Sequence, residues 1–165
     1  MDSSGAQGTM ASAMGIFSKF RSSASPEKRA ADELAGLAGR KEVLIARLAR
    51  HAGRCSYPAM AADLKTLAEK EAAHFKTLRK ILSDRDMWPR PPQSEPREGS
   101  SNWERLSGDL AILAALAAGL RLCAMHWEAV DQEIADVLGA MATEDVDHES
   151  DLRQLALKCD PQAFD

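Results

Sequence analysis

Aromatic residues are scarce, at 5% of the 165-residue chain. Strands favour aromatic and β-branched side chains, so the scarcity points away from sheet. There are only three cysteines, Cys55, Cys123 and Cys159, with no CxxC pair among them. They cannot all be bridged internally, and a reducing cytoplasm is the expected compartment. A basic excess is missing too, with 21 Lys and Arg against 25 Asp and Glu and a net charge of −4, which speaks against a nucleic-acid partner. The longest apolar run, Leu110–Leu120, has eleven residues. That is too short to span a bilayer and fits a buried helix, so no membrane partner is expected. The N-terminus lacks a basic region followed by an apolar stretch, and no signal peptide is read there.

What the chain does have is 45% hydrophobic and 28% charged residues, the balance of one compact soluble domain. Residues 1–27 are rich in Ser, Ala and Gly without period and are expected to form a disordered tail. The folded domain is expected over residues 28–160, in four helices. The first opens after Ser25-Pro26 and runs to Gly53, with Leu34, Leu37, Ile45, Leu48 and Ala52 as its apolar stripe. The second runs from Pro58 to Leu82, with Met60, Leu64, Leu67, Leu78 and Leu82 on one face. The third starts near Asn102 and is apolar all round. The fourth covers Asp131–Lys158, with Ile134, Leu138, Met141, Leu152 and Leu155 facing inward.

Residues 84–102 hold four prolines and cannot be helical. Nineteen extended residues reach roughly 60 Å, more than the roughly 38 Å of a 25-residue helix. The reading is therefore an all-α four-helix bundle of two antiparallel hairpins, joined by a crossover that travels its full height. A repeat supports this. Shifting the second helix by 74 residues lays it on the fourth without a gap, pairing Leu64 with Leu138, Leu78 with Leu152 and His74 with His148.

Within that repeat, Glu71-Ala-Ala-His74 matches Asp145-Val-Asp-His148. A carboxylate and a histidine three apart share a helix face, and both pairs fall among the core leucines. A buried carboxylate needs a partner, and two pairs at equivalent heights need a shared one. Metal bridged by carboxylates is one answer. A hydrogen-bonded ion network that includes Lys41 is the other. His51-x3-Cys55 with Cys123-x2-His126 offers a separate zinc pattern, although in a bundle with this crossover the two halves fall at opposite ends. Trp88, Trp103 and Trp127 are expected to pack at bundle ends. Arg47, Arg50, Lys70 and Lys80 read as solvated helix faces.

On the strength of EKEAAH (69–74) and EDVDH (144–148), each followed by a helical leucine pattern, the sequence resembles the ferritin-like superfamily, and within it the rubrerythrin-like di-iron proteins, over roughly residues 28–159. The resemblance implies metal ligation by Glu71, His74, Asp145 and His148, with Glu42 as a third carboxylate from the first helix. It implies iron, one ion or two, with manganese or zinc as other occupants, and oxidation of Fe(II) or reaction with oxygen or peroxide. That would make the chain an oxidoreductase of ferroxidase or peroxidase type. Asp145 replaces the family's glutamate with a shorter side chain, and no acid lies between Asp109 and Glu128 to supply the third helix's ligand. The alternative is therefore a metal-free bundle acting as an interaction or stress-response module. Nothing resembles the CxxC pairs of a rubredoxin domain, so no electron-transfer module is expected in this chain. In the third helix, Gly108, Ala111, Ala115 and Gly119 make a flat face opposite the leucine stripe, and a homodimer is expected through it.

Overall fold

The computed structural model describes residues 24–94 and 97–159; the expected tail lies almost wholly outside these. It contains four helices, α1 Pro26–Arg54, α2 Pro58–Ser83, α3 Asn102–Trp127 and α4 Gln132–Lys158, and no strand among the described residues. The ends follow local chemistry. Pro26 and Pro58 sit where a missing N–H costs nothing. The Ser25 and Asp131 side chains accept from the backbone N–H of Lys28 and Ile134, and Ser101 with Glu104 closes a capping box.

The pairing of the helices fixes their directions. Glu27, at the start of α1, meets Arg85, just beyond α2, so these two are antiparallel. Arg47 pairs with Asp109 at one end of α1 and α3, and Glu33 with His126 at the other; they too are antiparallel. Lys70 reaches Asp151, and Met60 meets Cys159, across α2 and α4. Since α4 turns back on α3, α2 and α3 point the same way. The intervening segment must therefore traverse the bundle, and it does so along α1. The Arg90 backbone N–H donates to Ala35 O at 2.8 Å and its guanidinium to Asp32 at 2.7 Å. Eight residues later Glu98 accepts from Arg50 and Arg54, both at 2.8 Å.

Gly39 makes this close approach possible. A Cβ there would lie 1.8 Å from the Arg90 carbonyl oxygen. Gly39→Ala should push the crossover off α1 and cost about 1–3 kcal/mol, read as a drop in the urea midpoint. Glu98 anchors the other end, and its pKa is lowered to about 2, chiefly by the Arg54 hydrogen bond and then by those from Arg50 and His51. A carboxylate held below its ordinary value of 4.5 adds stability above that value and loses it as pH falls through the lowered one. Wild type should therefore melt higher than Glu98→Gln at pH 7, with the difference closing between about pH 4.5 and pH 2.

The core is laid down by a repeating three-and-four spacing. Leu34, Leu37, Leu44 and Leu48 of α1 are 0–1% exposed. Leu44 takes the core place expected of Ile45, which is only half-buried. The expected faces of α2 and α4 are buried throughout. Of the tryptophans, Trp127 is fully buried with Arg85 stacked 4.8 Å from its ring, whereas Trp88 and Trp103 are exposed.

The α3 helix departs from expectation. By length and composition it is apolar enough to cross a membrane, with mean hydropathy 1.7 over 18 residues, yet only 39% of that window is buried in the bundle. Gly108 and Gly119 do not face outward. A Cβ on Gly119 would strike Leu37, and one on Gly108 would touch Arg47, so both let α1 come close. The outward apolar face is instead Ala111, Ala115, Ala118, Leu122 and Met125.

Candidate metal site

Glu71 and His74 occupy core positions of α2 between Leu67 and Leu78, and Asp145 and His148 occupy the matching places in α4 between Met141 and Leu152. Three-residue spacing sends each carboxylate and its histidine to the same inner face. The two antiparallel helices then exchange partners crosswise. His148 Nδ1 donates to Glu71 Oε1 at 2.6 Å, and His74 Nδ1 donates to Asp145 Oδ1 at 2.9 Å. The imidazole rings stack with centroids 5.5 Å apart. One ligand atom from each of the four residues lies within 4.8 Å of the other three, and all four residues are buried. This buried Glu-His-Asp-His group could hold a metal ion.

The α1 helix contributes Lys41, 0% exposed, to the same place. Its Nζ donates to Glu71 Oε2 and to both oxygens of Asp145, at 3.0 and 2.9 Å, and lies 3.5 Å from His74 Nδ1. Glu42, the neighbouring acid, is exposed and stands outside the group. One residue along a helix is a rotation of about 100°, so α1 cannot turn both Lys41 and Glu42 inward.

The charges are tightly interlocked. Burial opposes the charged form of His74, but hydrogen bonds to Asp145 and to Glu144 (2.8 Å from Nε2) outweigh it and raise its pKa. Both ring nitrogens thus donate to carboxylates, the pattern of an imidazolium. Burial likewise opposes ionisation of Asp145, yet the His74 hydrogen bond and the Lys41 charge bring its pKa below the ordinary value. With His74 protonated, Glu71, Asp145, Lys41 and His74 balance to zero. Glu144, on the solvent side of His74, is 61% exposed, so His74 forms the rim of the site.

A di-iron pair does not fit these residues. It needs carboxylates from all four helices, whereas α1 offers Lys41 and the buried face of α3 around mid-helix is Leu113, Leu116, Ala117 and Leu120. The one buried acid of α3, Asp109, is engaged near the end of α1, accepting from Arg47 Nε at 2.7 Å and His51 Nδ1 at 2.5 Å. His51 Nε2 continues to Glu98 of the crossover at 3.2 Å. Two carboxylates and two imidazoles suffice for one ion.

This second polar cluster went unread in the sequence. Arg47, expected on a solvated face, is 1% exposed. It lies one residue before Leu48 and three after Leu44, on the stripe's edge, where an acid on a neighbouring helix can draw it in. Asp109 gave a comparable signal, three residues after Leu106 and four before Leu113. The expected zinc residues are not brought together, because His51 belongs to this cluster while His126 pairs with Glu33 at the far end. Cys123 is buried beside the Ala30 carbonyl, and burial pushes its thiol up to about 12, which makes it inert. No protein-family model matches the chain, and no curated protein matches it either.

Proposed function

We propose that this chain is a ferritin-like, rubrerythrin-like metal protein that holds a single non-haem ion, preferably iron, between α2 and α4. The observation that carries the reading is the doubled carboxylate-x-x-histidine pair, whose four ligand atoms converge within 4.8 Å inside the core. Glu71 and Asp145 would supply oxygen donors and His74 and His148 nitrogen donors, a mixed set suited to first-row divalent ions. Manganese and zinc are the competing occupants. Bound iron would supply the redox change, towards oxygen, peroxide or Fe(II) itself, that the resemblance implies. The protein's part would be to set the ligand geometry, with His74 at the solvent side. Three free thiols, Cys55, Cys123 and Cys159, support a reducing cytoplasm.

The test is anaerobic loading with Fe(II), removal of excess, and metal analysis before and after exposure to air or peroxide. One iron per chain, absent from the His74→Ala/His148→Ala variant, is expected. No retained metal in a folded wild type would remove the reading.

One observation favours a second reading. Lys41 already bridges the two carboxylates as their common cation, without an ion. On that reading the bundle is a metal-free interaction or stress-response module, with the polar network fixing helix register. We also infer a homodimer through the outward face of α3. Leu122 and Met125, 48% and 59% exposed, recur with Ala111, Ala115 and Ala118 at the alternating four-and-three spacing of a helix–helix seam. Light scattering after size exclusion should give twice the 17.9 kDa chain mass, falling to one chain for Leu122→Lys/Met125→Lys.

A further inference from the structure

We infer that Lys41 is a built-in competitor for the metal: its ammonium holds the oxygens an ion would need, so ion and ammonium are alternative occupants of one site. The inference rests on reading the four-residue group as metal-binding. It deepens that reading by naming what must leave.

Glu71 Oε2 and both oxygens of Asp145 are the acceptors of the Lys41 ammonium. Nζ therefore has three acceptor oxygens for its three protons, and it needs no further partner. A first-row ion ligated by Asp145 would sit about 2.0–2.2 Å from one of its two oxygens, and Lys41 holds both. That position is within the volume Nζ occupies, since Nζ is itself only 2.9 Å from Asp145 Oδ2. The two cations cannot coexist there, because their repulsion in a buried site is large.

The placement of Lys41 is also specific. Its neighbours along the inner face of α1 are Leu37, Ala38 and Leu44, all buried, so nothing else on that stretch could hold an ammonium. A lysine is rarely retained fully buried unless it is paired, and the pairing here is to the two carboxylates that α2 and α4 place at equivalent positions. Lys41 thus does for the metal-free protein what a cation would do for the loaded one. It makes the site's affinity for metal a difference between two charged occupants rather than the full affinity of the four ligands.

The experiment is a Co(II) titration at one fixed pH of wild type, Lys41→Met and Lys41→Gln, followed by visible absorption, with a thermal melt of each protein with and without Co(II). Lys41→Met should bind about a hundredfold more tightly than wild type, because the ion then no longer has to displace the ammonium. Its melting midpoint should rise far more on adding Co(II). Lys41→Gln, whose amide can still donate to one carboxylate, covers the case in which the methionine variant does not fold alone. Folding of Lys41→Met only when Co(II) is added would itself support the competition.

The outcomes separate the two ideas. Binding by the Lys41 variants but not by wild type upholds the competition and overturns metal binding by the native chain. Equal affinity in all three overturns the competition and leaves the metal reading standing. No binding by any of them, with folded proteins, overturns both.

Discussion

Lys41→Met should destabilise the metal-free protein by about 3–5 kcal/mol, the usual cost of removing one partner from a buried ion pair. The cost arises on α2 and α4 rather than on α1, where methionine fills much the same volume. Glu71 and Asp145 lose their common donor, and two carboxylates are left buried with only the imidazoles of His148 and His74 to answer them. The positive charge of His74 softens the penalty for as long as it lasts, so the loss should be smaller at acid pH than at alkaline pH. The pKa of His74 is raised by its hydrogen bonds to Asp145 and Glu144, against burial. Stabilisation by a charged histidine is present below its ordinary value and lost as pH rises through the raised one, so the variant should be weakest above neutrality. Urea unfolding at several pH values measures this. A variant as stable as wild type at pH 8, without metal, would mean that the ammonium is not what holds the carboxylates.

Asp109→Ala is the second large expected effect, also about 3–5 kcal/mol. Asp109 is 0% exposed and is the buried carboxylate for both Arg47 and His51. Its removal leaves a guanidinium that is 1% exposed without that carboxylate, and it cuts His51 off from α3. The loss should also be felt along the crossover, because His51 and Glu98 are hydrogen-bonded. Replacing both charged partners, Arg47→Met with Asp109→Leu, should recover most of the stability, since a packed apolar pair avoids the desolvation that the ion pair must repay. Comparison of the single and double variants separates the penalty of a guanidinium that has lost its carboxylate from the worth of the pair. If the double variant were as unstable as Asp109→Ala, the cluster would be holding the helices by its hydrogen bonds to the crossover and not by charge compensation.

Much of the fold was legible because its signals were redundant. The helix starts carried Pro26 and Pro58, and the prolines of the crossover could belong to no helix. The long connection allowed the chain to travel the bundle's height, and Arg90 and Glu98 now mark its path along α1. The α2 and α4 half of the site was legible for a similar reason. Glu71, His74, Asp145 and His148 interrupt two clean leucine patterns at equivalent points, and an interruption that occurs twice invites a common explanation.

The rest was hidden by helix rotation and by partners distant in sequence. On α1 an acid beside a lysine left open which of the two faced inward. Rotation of one residue decided for Lys41, and with it the charge of the site. Arg47 looked solvated because nothing in its own helix says that Asp109, 62 residues away, will meet it. On α3, apolar in every direction, the sequence could not say which face the bundle would choose. The glycines that seemed to flatten its outer side are instead where α1 comes close.

The most direct test of the account is a crystal of wild-type protein grown with Mn(II) and measured for anomalous scattering. The account predicts one peak per chain, within bonding distance of Glu71 and Asp145 and of at least one of His74 and His148, with the Lys41 side chain displaced from the carboxylates. No peak there at saturating Mn(II), with Lys41 still bridging Glu71 and Asp145, would contradict it and leave the ammonium as the site's permanent cation.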